Sequence, residues 1–156
     1  MKLWHIAVTA ALLGFGTLAL AAELRITTTE ADGRLVDDIN LPFVNDPAVL
    51  GEWRSVDFVA APGEFVPGTK RFRGDLYLGG FKFLPGGKMA VLPFAPKGAP
   101  WFTWTRGVVT HSGDKTASRY LIKELKGATY MFFEWKSGDY VIRHAKPEYY
   151  VLKKAN

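Results

Sequence analysis

An all-β fold, an eight-stranded antiparallel up-and-down barrel, is what this sequence predicts, and three observations predict it. Apolar or alternating runs recur at intervals of about ten residues from Trp53 onward, each bounded by turn residues. The turns are short, so consecutive strands pair as hairpins and the sheet becomes a meander. The composition agrees: 14% aromatic residues, with 16 Gly and 9 Pro among 156 residues, suits strands and tight turns. Eight strands can close around a small interior, and closure removes the exposed edges that so aromatic a chain must avoid.

Taken in order, the first element stands apart from the domain. "MKLWHIAVTAALLGFGTLALAAE" places basic Lys2 before an apolar run and the small-residue pattern Ala19-Leu20-Ala21 before Glu23. That is the layout of a secretory signal peptide over residues 1–21, cut after Ala21 or Ala22. An uncleaved anchor is the alternative, because residues 6–22 are nearly long enough to span a bilayer. Cleavage would leave no transmembrane segment and an exported protein, periplasmic or secreted. Residues 22–45 read as a polar leader with one short strand at 24–28, and the barrel domain spans 46–156.

"NDPAVLGEW" opens the domain with a short helical turn before the first strand. Asp46 can cap it, Pro47 suits the first helical position, and Gly51 ends it. The first strand covers 53–59, and "APGEFVPGTKRFRG" is a loop. The next is "LYLGGFKFL", bent at Gly79-Gly80, and then "MAVLPF", where Pro93 marks a strand end or an edge. The remaining five are "WFTWTRGVVT", "TASRYLIKEL", "ATYMFFEWK", "YVIRH" and "YYVLKK", separated by "APKGAP", "HSGDK", Lys126-Gly127, "SGD" and "AKPE".

Several function classes are excluded or disfavoured. Without cysteine there is no disulfide, thiolate metal site or cysteine nucleophile. Loss of Lys2 from the 20 basic residues leaves a net +4 against 15 acidic ones, too mild to imply nucleic acid. Such a surface would still favour anionic ligands or the cell envelope. His111 lies in "HSGDK", whose Ser, Gly and Asp are ordinary turn residues, and three neighbours on one turn rarely converge as a triad. His144 sits alone. No G-x-S-x-G, phosphate loop or His-x-x-x-His occurs, so no enzyme, metal site or cofactor is expected. Arg73-Gly74-Asp75 is a three-residue match of the kind chance supplies.

The most informative stretch is "YMFFEWKSGDYVIR". Strand alternation places Met131, Phe133 and Trp135 on one wholly apolar face, which should point inward. Tyr130, Phe132, Glu134 and Lys136 then cover the outside, with Glu134 paired to a neighbouring base. The other reading puts Glu134 inside as a ligand-facing carboxylate, which would need a partner. A small ligand site needs an apolar wall and a few polar groups. The candidate ligand-binding residues are therefore Trp104, Arg106, Tyr120, Met131, Phe133, Trp135 and Arg143. The bland alternatives are surface salt bridges for the two arginines and a satisfied core residue for Tyr120.

Gly51-Glu52-Trp53, just before a meander of eight strands, resembles the Gly-x-Trp signature of lipocalins. The resemblance implies that Trp53, beside Gly51, plugs the closed end of the barrel. It also implies that Lys153 or Lys154, where the family usually has Arg, packs across the indole. More of the chain is similar to an uncharacterised bacterial lipocalin-like domain: "FVNDPAVLGEWRSVDFV", "WTRGVVTHSGDKTASRY", "YMFFEWKSGDYVIR" and "KPEYYVLKK". That domain occurs alone after signal peptides and appended to membrane metallopeptidases of the beta-lactam-sensor type. The resemblance implies a fold and no activity.

The expectation is a non-enzymatic envelope protein binding a small apolar or amphipathic molecule, with the arginines holding any anionic group. The alternative is a fully packed barrel that docks an envelope protein partner through outward aromatics such as Phe132.

Overall fold

The computed structural model of the chain describes residues 24–136 and 146–156. The signal-peptide segment 1–21, the strand expected at "YVIRH", Arg143 and His144 lie outside the described residues. Those residues form β1 (Thr28–Ala31), β2 (Arg34–Asp37), β3 (Gly51–Val59), β4 (Gly80–Phe83) and β5 (Met89–Leu92). They continue as β6 (Phe102–Thr105), β7 (Val108–His111), β8 (Thr116–Leu125), β9 (Ala128–Trp135) and β10 (Glu148–Lys154).

β1 and β2 make a hairpin of their own, and the other eight strands make one sheet in the order β5-β4-β3-β10-β9-β8-β7-β6. All pairings among these strands are antiparallel, and β3 and β10, the first and last of the eight, pair from Val59↔Tyr149 to Trp53↔Lys154. The sheet curls until its outer strands β5 and β6 meet. There the contact thins to a bridge between Lys88 and Thr103 and one bond from the Ala99 amide to the Met89 carbonyl, 2.8 Å. The molecule is an all-β, almost closed up-and-down barrel with its seam between β5 and β6, and β5 stops just before Pro93.

Several details differ from the sequence expectation, the strand expected at 24–28 among them, since β1 begins only at Thr28. "WFTWTRGVVT" is the hairpin β6–β7, because Arg106-Gly107 makes a two-residue turn with Gly107 at φ 77°, a conformation that costs glycine little. The helical turn before the first barrel strand is a plain turn at 47–49. The Asp46 carboxylate accepts the Ala48 amide at 3.2 Å and its carbonyl accepts the Val49 amide at 3.2 Å. Strand geometry begins at Gly51, leaving too few residues to propagate a helix.

The leader belongs to the fold. Asp32 and Gly33, both at positive φ, turn β1 into β2. The Asp37 amide then donates to the Lys115 carbonyl at 2.8 Å, fastening the hairpin to the start of β8. Further on, the Thr105 hydroxyl donates to the Pro42 carbonyl at 2.9 Å and accepts the Val44 amide at 2.8 Å.

Inward side chains, among them Trp53, Phe81, Phe83, Met131, Phe133 and Leu152, form the main core. A second cluster lies on the outer face. The 3-10 turn Pro62–Glu64 brings Phe65 down onto Tyr130 and Phe132, at ring distances of 4.9 and 5.8 Å. Burying each such ring is worth about 1.5–3 kcal/mol, which explains an aromatic outer face without exposing it. A bulge opposite Val151 and Leu152 leaves Val56 extra and turns Asp57 outward. Asp57 is fully buried, and its carboxylate accepts the amides of Phe58, Arg71 and Phe72 at 2.9 to 3.1 Å, holding the following loop to the sheet.

Candidate ligand site at the barrel mouth

The two ends of the barrel differ, and the difference follows from where the large side chains fall. At one end Trp53 is fully buried, and its indole N–H donates to the Val49 carbonyl at 2.7 Å. The cation across the indole is Lys154, whose Nζ lies 5.3 Å from the ring centroid and donates to the Ala48 carbonyl at 2.8 Å. Lys153 alternates to the outer face, where it lines a groove with Val56 and Phe65. Gly51 starts β3 at φ 107°. Trp104 is also buried here, donating to the carbonyls of Leu84 and Lys88 at 2.8 and 3.0 Å, and Phe83 packs edge-on between it and Tyr120. The Tyr120 hydroxyl donates to Asp46 Oδ2 at 2.9 Å. Burial, with the Asp46 carboxylate beside it, pushes the phenol well above its usual range against a bond to Gly107 and nearby Arg106. This end is filled.

The other end is not. A cavity of about 320 Å³ opens between Val91, Val109 and Phe133 below and Tyr77, Phe94 and Trp101 at the rim. The rim rings stay in water at 67%, 57% and 42% exposure, a cost that an apolar occupant would offset. The cavity falls within the volume range typical of small-molecule sites.

Polar groups enter from β7, β8 and the residue after β9. His111 Nδ1 accepts the Asp114 amide at 2.9 Å, so the neutral imidazole carries its proton on Nε2. Its ring stands edge-on to Phe102 at 4.5 Å. Lys136 Nζ is held by Asp37 at 3.2 Å and by the Ala117 carbonyl at 2.8 Å, with Glu134 at 3.9 Å. Asp37 also accepts the Thr28 hydroxyl at 2.6 Å and the Ala117 amide at 2.7 Å. Thr116 and Ser118 complete the wall. The Ser112 hydroxyl donates to the Trp101 carbonyl at 3.3 Å, not to His111. Among the described residues no three His, Asp or Glu side chains converge as a metal site.

The expected site residues therefore divide. Phe133 and Trp135 line the mouth cavity, while Met131 lies deeper in the packed core. Trp104 and Tyr120 belong to the filled end. Arg106 is outside the barrel on the β6–β7 turn, donating to the Asn45 carbonyl from Nε at 3.0 Å and Nη2 at 2.6 Å. It cannot anchor an interior ligand, and Arg143 lies outside the described residues. Glu134 faces outward and accepts the Arg119 amide at 3.0 Å.

His111, Asp114, Thr116, Ser118 and Lys136 were not among the expected site residues. The "HSGDK" turn carried a signal for the first two, since a turn joining two barrel strands must sit at one mouth. A larger outer hollow of about 460 Å³ lies under the leader, bordered by Leu24, Arg106, Arg119 and Leu121. It is a crease between the chain's own segments, crossed by the bond from Arg119 to the Leu24 carbonyl at 3.0 Å.

No family model, curated protein or solved structure matches the chain. What places it among known architectures is the barrel itself, whose nearly closed eight-stranded antiparallel form is consistent with a lipocalin-like fold. Among the described residues no helix is long and apolar enough to cross a membrane.

Proposed function

We propose that this protein is an exported, lipocalin-like binding protein that holds a small, largely apolar molecule in the mouth of its barrel. The observation that carries this reading is the cavity above Phe133, open to solvent at the end of the barrel opposite the one that Trp53 fills. Its walls offer apolar contact on most sides, with the His111 Nε2–H on one side for an acceptor such as a carbonyl or carboxylate. The role first expected of Arg106 passes to His111.

A fluorescent fatty-acid-like probe should quench tryptophan emission, because Trp101 and Trp135 line the cavity. Thr116→Phe, which fills the cavity, should abolish the quenching, and Arg106→Met should leave it unchanged. No binding of the acid or its neutral ester at high micromolar concentration defeats the reading. The second reading, docking of an envelope protein, is favoured by the exposed Tyr77, Phe94 and Trp101. It no longer involves Phe132, which Phe65 covers. Export with cleavage near Ala21 completes the proposal, and the mass of the protein recovered from the envelope checks it; an intact Met1 would contradict it.

A further inference from the structure

The outer face near the closed end carries a charge pattern fixed by strand register. Arg54 of β3 lies opposite Lys153 of β10, Lys153 opposite Tyr130 of β9, and Tyr130 opposite Lys123 of β8. Their neighbours Trp53, Leu152, Met131 and Ile122 take the inner face, so this row faces out. Like charges directly opposite each other destabilise a sheet. Glu52 answers one of them, accepting from Arg54 Nε at 2.6 Å. Lys123 and Lys153 have no carboxylate partner among the described residues, and neither do Lys70, Arg71 and Arg73 in the adjoining loop.

That loop is held against the row by the bonds from Arg71 and Phe72 amides to Asp57. Lys70 and Lys153 flank a groove of about 270 Å³ with Thr69 at its edge and Val56, Phe65 and Tyr130 as an apolar lining. Val66, bridged to Thr69, stands beside it, 41% exposed. Cations around an apolar groove and an exposed valine complement an interface whose outer layer is anionic and whose inner layer is hydrocarbon.

We propose that this face binds the surface of an anionic phospholipid bilayer, with headgroup phosphates between Lys70 and Lys153 and with Val66 entering the acyl boundary. The barrel mouth lies at the other end and stays open in this pose, so the inference does not rest on the cavity reading.

The test is sedimentation of the protein with phosphatidylcholine vesicles, with and without phosphatidylglycerol. Phosphatidylglycerol should strengthen binding, and added salt should weaken it. Lys70→Gln with Lys153→Gln should weaken binding to anionic vesicles about 25-fold, at roughly fivefold per cation. Both side chains are exposed, so circular dichroism should be unchanged, and any contribution from the apolar residues before Glu23 cancels between protein and variant. Equal binding of protein and double variant to anionic vesicles overturns the proposal. Displacement from those vesicles by micromolar glycerol phosphate also overturns it, in favour of a free phosphate ester as the ligand.

Discussion

Trp53 concentrates several physical demands in one side chain. It is fully buried, its N–H is matched by the Val49 carbonyl, and the Lys154 ammonium lies over its ring. Trp53→Ala should cost roughly 3–5 kcal/mol through the cavity it leaves, read as a fall in the urea midpoint. The sequence could not decide between Lys153 and Lys154, because neighbouring strand residues face opposite ways and one step of register exchanges them. Period two was enough to place Met131, Phe133 and Trp135 on the inner face. Arg106 was misplaced for a different reason: a turn inside an unbroken β-like run is signalled only by Gly107. Tyr120 makes a pH prediction. Its phenol is raised above the ordinary value of 10.0, so the folded state favours the neutral form. The stability this gives is complete below that pH and is lost as pH rises through the folded value. Above pH 10 the urea midpoint should fall more steeply in the native protein than in Tyr120→Phe, and that variant should lose the late-titrating phenolate absorbance.

The β1–β2 hairpin shows what an element can reveal in sequence and what it hides. Asp32-Gly33 is a strong two-residue hairpin signal, yet a polar stretch without a sustained apolar period reads as a leader. What makes it structural is Asp37, whose carboxylate meets Thr28 of β1, Ala117 of β8 and Lys136 just past β9. No local pattern announces a contact between Asp37 and Lys136, separated by 99 residues. Asp37→Ala would leave the nearly buried Lys136 ammonium without its counter-charge and should cost roughly 3–5 kcal/mol. Limited proteolysis should then cut after Arg34 before the barrel unfolds. An unchanged cleavage pattern would mean that the hairpin is held elsewhere. The mouth cavity was equally hidden, since its wall joins Tyr77, Val109 and Phe133 from separate strands and loops, whereas the barrel around it was legible from turn spacing.

At the scale of the whole molecule the β5–β6 seam is the weak line. It has one bridge and one further backbone bond, whereas β10 is paired along its length on both sides. Native-state hydrogen exchange should therefore be slowest in β3, β9 and β10 and fastest in β5 and β6, and uniform protection would contradict that ranking. The position of β10 has a consequence for how the molecule comes into being. It follows the other described strands yet lies in the middle of the eight-stranded sheet, between β3 and β9. Until residues 148–154 add to the sheet, the strand order provides only two partial sheets, β3–β5 and β6–β9, whose facing edges have no common partner. Joining them requires the contacts of longest sequence separation, which are the slowest to form. During that interval two unpaired edges are open to chaperones or to a second nascent copy, and β10 acts as the keystone that ends the exposure.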